Sequence, residues 1–245
     1  MNFGFDYEIW NKAGIAVPIN LDIKTYSNIL ISGSSGSGKS TALIYETLQI
    51  LKEDVILYFC DFKNSDDFIF MKGYEHFYSG NATYDGIMAY YKEFSRSREM
   101  GEKLKRHVLI IDEYQAFITF LTSKDKTNKT KTATDILNAI SELLMLGRGT
   151  GNGFGVWISV QRSDSNLFSS ARDNFMGTIV LGHISKEQKQ MAFSGEEIPE
   201  DRIYQRGEGL AYFDGTGLIE VKFPKITDLS TWKKNILKFF SSTEI

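Results

Sequence analysis

Residues Gly33 to Ser40 read G-S-S-G-S-G-K-S. This spacing, G-x-x-x-x-G-K-[ST], constrains the chain more than any other stretch. A glycine-rich turn of this kind points backbone N–H groups inward around phosphate, with a strand leading in and a helix N-terminus aimed at the anion. The flanks agree. Asn28-Ile-Leu-Ile-Ser32 is apolar enough for a buried strand, and Ile44, Leu48 and Leu51 recur at helical spacing over Thr41–Lys52. A glycine/serine linker lacks such flanks. Gly33, Ser34, Ser35, Gly36, Ser37, Gly38, Lys39, Ser40 and Thr41 are therefore the expected nucleotide-binding residues. Lys39 reaches for the β- and γ-phosphates, and the Ser40 hydroxyl suits Mg²⁺.

Phosphate binding is not hydrolysis. The stretch His107-Val-Leu-Ile-Ile-Asp112-Glu113 predicts a buried strand with two carboxylates at its C-terminal edge, where open α/β sheets bind ligands. Asp112 suits the Mg²⁺ shell. Glu113 suits a general base that polarises the attacking water. The Asp-Glu pair favours an ATP-hydrolysing machine over a GTP switch. Another strand, Gly155–Gln161, ends in an amide, and Gln161 is expected to sense the γ-phosphate or orient the water. Asp61 and Lys63 end the run VILYFCDFK in the same way. For that pair, lining the site and marking a turn both remain open.

The remaining sequence fits one covered sheet. Apolar runs GIAVPINL, NILIS, DVILYFCDF, HVLIID, GVWISVQ, GTIVLG and GLAYF alternate with helical patterns over Asp85–Lys105 and Ala133–Leu146. That alternation predicts an α/β fold with a mainly parallel sheet flanked by helices, over residues 1–245 as one domain. Net charge is −3, so polyanion contact has to come from a local patch or an assembly. The single cysteine, Cys60, rules out an internal disulfide and a cysteine-rich metal site. No signal peptide and no run of about 18 apolar residues is visible, which predicts a cytoplasmic chain without a transmembrane segment. Residues 122–132, TSKDKTNKTKT, contain no apolar residue and read as a polar mobile loop. Residues 227–245 predict a C-terminal helix with Trp232, Ile236 and Phe239 on one face, docked on the core.

The order of these pieces resembles the motor domain of the FtsK/SpoIIIE branch of the FtsK–HerA superfamily of DNA-pumping ATPases. The matching text is AVPINLDIKTYSNILISGSSGSGKST, LYFCDFK, VLIIDEYQAF, LLMLGRGTGNGFGVWISVQRSD, DNFMGTIVLGHIS and GEGLAYFDGTGLIEVKFPKI, spanning roughly residues 14 to 226. The resemblance implies a RecA-like core, ATP and Mg²⁺ as cofactors, and a homo-oligomeric, hexameric ring around DNA with ATP between subunits. Such a site takes an arginine from the neighbour, and Arg148 and Arg172 are the candidates. Many relatives carry an arginine directly before the strand that here reads TIVL, where this chain has Thr178. The membrane domain and winged-helix module of the chromosome-segregation translocases are not seen, which suggests a stripped motor for transfer or packaging of mobile-element or viral DNA. A relaxase, a secretion channel or a capsid is the implied partner.

Three functions follow for testing. The first is an ATP-driven DNA translocase whose lysines Lys124, Lys126, Lys129 and Lys131 contact DNA phosphates, single- or double-stranded. The second is an ATP-binding adaptor that recruits a relaxase or another ATPase. The third, a nucleotide kinase, is disfavoured because no arginine-rich lid follows the loop.

Overall fold

The apolar runs assemble into one ten-stranded sheet in the computed structural model, which describes residues 1–163, 167–199 and 202–241. In chain order the strands are β1 (Asn2–Asp6), β2 (Pro18–Asn20), β3 (Ile29–Ser32), β4 (Ile56–Asp61), β5 (Phe77–Ser79), β6 (His107–Asp112), β7 (Phe154–Val160), β8 (Gly177–Leu181), β9 (Glu208–Phe213) and β10 (Gly217–Lys222). In space they run β2-β1-β10-β9-β8-β3-β7-β6-β4-β5. The stretch from β8 to β5 is parallel throughout. The remaining four strands extend it antiparallel from β8.

Side-chain alternation along the parallel strands makes two cores. Ile29, Ile31, Leu57, Phe59, Val108, Ile110 and Trp157 pack on one face with α2 (Lys39–Leu51), and Ile236 of α7 (Leu229–Ser241) joins them. Leu30, Tyr58, Cys60, Leu109, Ile111 and Ile158 pack on the other, under α3 (Thr83–Met100), α4 (Tyr114–Asn128) and α5 (Thr132–Leu146). Two short helices complete the chain, α1 (Tyr7–Ala13) and α6 (Lys186–Ala192). Both faces of the parallel strands are covered, which is why these strands read as continuous apolar runs. Cys60 is a buried core thiol.

The structure corrects the expected loop at 122–132. Residues 114–128 continue as α4, Lys129 turns the chain in the left-handed region at φ 55°, and α5 starts at Thr132. Lys124 and Lys126 therefore stand on a helix, and Lys129 and Lys131 flank the turn, all four exposed. The cause is Asp125. Its Oδ1 accepts the Thr132 N–H at 3.0 Å and its Oδ2 the Ala133 N–H at 2.8 Å, so it caps the helix that follows its own. The run GIAVPINL is also weaker than expected: only Pro18–Asn20 forms a strand, at the sheet edge, and Ile15 and Val17 are exposed. In α7, Trp232 and Ile236 dock as expected, but Phe239 is exposed and Phe240 takes its place, stacked on Tyr74 at 3.7 Å. Residues 242–245 of the expected C-terminal helix lie outside the described residues.

Candidate nucleotide site

The strand β3, its glycine-rich loop and α2 place Lys39 at the first residue of the helix. The loop is folded tightly because two distant glycines press on it. Gly38 has φ 101°, and a Cβ there would stand 2.6 Å from the Gly207 nitrogen. The Gly207 N–H in turn donates to the Ser37 carbonyl at 2.8 Å. A Cβ on Gly182, just after β8, would meet the Ser37 side chain at 2.7 Å. Gly182 and Gly207 were not singled out in the sequence. Their signal is a close approach between segments far apart along the chain, which no local pattern carries.

Lys39 is buried, and its Nζ donates to the Gly33 carbonyl at 2.5 Å and the Ser34 carbonyl at 3.3 Å. Burial pulls its pKa down, while Glu113 and Asp112 pull the other way. Asp112 ends β6 at 5% exposure. Burial raises its carboxyl to about 6; the Ser159 hydroxyl opposes that rise, and the negative charges of Glu113 and Asp61 add to it. Glu113 is the N-cap of α4 with φ 55°. A non-glycine residue in that region is strained by about 1–3 kcal/mol and is held there by its surroundings. Gln161, just past β7, donates from Nε2 to Glu113 Oε2 at 3.2 Å.

Lys39, Ser40, Asp112, Glu113 and Gln161 thus share the C-terminal edge of the parallel strands. Ser163, also past β7, donates from Oγ to the buried Ser32 Oγ at 2.8 Å and ties the segment after Gln161 to β3. The fit to a nucleotide with its cation is supported by buried polar atoms without partners among the described residues, Ser37 Oγ and Asp61 Oδ1. A phosphate chain with a divalent cation supplies both the acceptors and the positive charge that these groups lack. Ser40 and Asp112 are the residues at this edge that could hold a divalent cation.

The two arginines stand elsewhere. Arg148 lies between α5 and β7, at the N-terminal edge of the sheet and opposite its own phosphate loop; it is exposed and its charge acts on Asp214. Arg172 precedes β8 and hydrogen-bonds the Met191 carbonyl of α6. Arg148 is therefore outside the site of its own chain. Among the described residues no helix is long and apolar enough to cross a membrane.

The RecA-like fold expected from the sequence is the fold found. The chain superposes on several solved ATPase structures. One is the pCW3 conjugation coupling protein TcpA, in its monomer form with ATPγS: TM-score 0.70, 22% identity, 90% of this chain and 67% of that one. A second is EssC (ATPases 2 and 3) from Geobacillus thermodenitrificans: TM-score 0.68, 15% identity, 99% of this chain and 49% of that one. A third is the genome packaging NTPase B204 of Sulfolobus turreted icosahedral virus 2, in complex with AMPPCP: TM-score 0.52, 15% identity, 82% of this chain and 99% of that one. This chain thus spans about half the length of the EssC chain. No protein-family model matches the sequence, and no curated protein matches it either.

Proposed function

We propose that this chain is an ATPase motor that moves DNA through an oligomeric ring, in transfer or packaging of mobile-element or viral DNA. The observation that carries the proposal is the convergence of Lys39, Asp112, Glu113 and Gln161 on one sheet edge, with Gln161 hydrogen-bonded to Glu113. In this reading the loop N–H groups and Lys39 hold the β- and γ-phosphates. Glu113 accepts a proton from the water that attacks the γ-phosphorus, the bond from that phosphorus to the β-phosphate oxygen breaks to release ADP and phosphate, and Gln161 keeps the Glu113 carboxylate oriented. Ser40 and Asp112 would hold Mg²⁺, which would supply positive charge to the phosphate oxygens. Arg148 or Arg172 completes a neighbour's site, because Arg148 faces away from its own. A transferred arginine of this kind contributes about 10³–10⁵ in rate in other phosphoryl-transfer systems. Lys124, Lys126, Lys129 and Lys131, carried at the turn of the α4–α5 hairpin, meet DNA phosphates when several copies face one DNA.

A second reading is a coupling adaptor that binds ATP and recruits a relaxase or another ATPase without moving DNA. It is favoured by the likeness to TcpA, described as a conjugation coupling protein, and by the net charge of −3. ATP hydrolysis measured without DNA, with single-stranded DNA and with duplex DNA separates the two. The motor reading expects stimulation by at least one DNA form. Equal rates under all three conditions leave the adaptor. Mixing Lys39→Ala subunits with Arg148→Ala or Arg172→Ala subunits tests the shared site: recovery of turnover identifies the arginine that acts across the interface.

A further inference from the structure

Asp61 ends β4 beside Asp112 of β6, the two being direct partners in the strand register. Side chains alternate along a strand, so the face on which Asp61 lies follows from its neighbours. Leu57 and Phe59 pack in the core under α2, and so do Val108 and Ile110 of β6 and Trp157 of β7. Asp61, Asp112 and Ser159 therefore lie on the α2 side of the sheet, the side from which the phosphate loop enters its helix. Asp61 is fully buried. Its Oδ2 accepts the Ser65 N–H at 2.7 Å, and its Oδ1 has no partner. Ser159 is fully buried as well.

A turn cap accounts for only one of the Asp61 oxygens. An asparagine would cap the Ser65 N–H equally well and would not bring a charge into the interior. A buried carboxylate with an unpaired oxygen is costly unless something positive or hydrogen-donating completes it. Lys39 does not: its Nζ is directed to the Gly33 and Ser34 carbonyls. On the basis of this geometry, and resting on the ATP-site reading above, we infer that Asp61 is a second carboxylate anchor of the divalent cation that accompanies the nucleotide. Asp112 and Ser40 are the residues placed to touch the cation. Asp61 is a positioning residue, accepting a hydrogen bond from the cation's water shell. Groups in this outer position set metal affinity by about 10–100-fold.

The test separates metal affinity from nucleotide affinity. Mn²⁺ is titrated into the full chain saturated with a non-hydrolysable ATP analogue, and free Mn²⁺ is read from its paramagnetic resonance signal. In parallel, a fluorescent ATP analogue is titrated in EDTA. For Asp61→Asn the expected result is Mn²⁺ binding weakened about 10-fold or more, with nucleotide affinity in EDTA within about twofold of the original chain. Asp61→Glu, which restores the charge, is expected to recover part of the loss. Asp61→Ser gives the same readout if Asp61→Asn does not fold. Mn²⁺ binding by Asp61→Asn equal to that of the original chain, while Asp112→Asn is impaired, would overturn the inference and leave Asp61 a turn cap. An original chain that binds no nucleotide at all, with or without Mn²⁺, overturns the ATP-site reading itself, a distinguishable failure.

Discussion

The nucleotide edge and the turn of the α4–α5 hairpin carry opposite charges, and they handle them in opposite ways. At the edge the carboxylates of Asp61 and Asp112 are buried, and the neighbouring Lys39 is buried with them. At the hairpin Lys124, Lys126, Lys129 and Lys131 are all exposed. Buried charges act one at a time, because a low dielectric makes each interaction strong and each unmatched group expensive. Exposed charges are screened within about 10 Å at ordinary salt, so they matter only in number. Single substitutions should therefore have large effects at the edge, and only collective changes should register at the hairpin.

The largest expected effect lies at the edge. Glu113→Gln keeps the shape and the contact to Gln161 but removes the base. ATP turnover should fall about 10²–10⁴-fold while nucleotide remains bound. Turnover at the original rate in a steady-state assay would break the assignment. Next comes Lys39→Ala, which removes charge-assisted bonds to phosphate. Nucleotide affinity, read by fluorescence titration, should drop about 10–100-fold, since such bonds contribute about 1.5–3 kcal/mol.

A third prediction concerns stability in nucleotide-free, EDTA-treated protein. The folded Asp112 carboxyl titrates at about 6, above the ordinary aspartate value. Between the unfolded value near 3.9 and the folded one, the native state therefore binds more protons than the unfolded chain. Stability then falls as pH rises through that window, and the penalty is complete above it. Asp112→Asn removes the penalty. It should be more stable than the original chain at pH 7.5, by about 1–3 kcal/mol, and equal to it near pH 4, as read from denaturant melts across pH. A variant less stable at every pH would show that the carboxylate stabilises the fold instead.

The smallest single-site effect belongs to the hairpin. Asp125→Ala removes the cap that holds the α4–α5 turn. Thermal unfolding should shift by a few degrees at most, on the order expected for one cap in a chain of this size. Nucleotide affinity should not change. A loss of nucleotide binding would mean that the two regions are coupled more tightly than their separate solvation implies.

How much of this was legible depends on the range of the physics. The strand, loop and helix around Lys39 and the strand ending at Asp112 and Glu113 are local patterns, and both stand where the spacing placed them. The contact between Gln161 and Glu113 joins two strand ends that the sequence had marked separately. Polarity alone does not tell the α4–α5 turn from a disordered loop. Asp125 and Thr132 are polar because they cap a helix, and that depends on pairing across seven residues. The strand β1 had no reading as a strand at all, although Phe3 is fully buried and stacks on Trp157 at 5.4 Å. The pressure of Gly182 and Gly207 on the phosphate loop is a contact between distant segments and leaves no periodic trace.

The division of labour itself has a direct measurement. The chain with Lys124, Lys126, Lys129 and Lys131 all replaced by alanine is assayed for ATP hydrolysis across a DNA titration at several salt concentrations. Basal hydrolysis should match the original chain, because the nucleotide edge is untouched. DNA stimulation should be lost or greatly reduced, and the dependence of DNA binding on salt should flatten, since fewer phosphate contacts release fewer counterions. Stimulation and salt dependence equal to those of the original chain would contradict the account, and so would loss of basal hydrolysis together with stimulation.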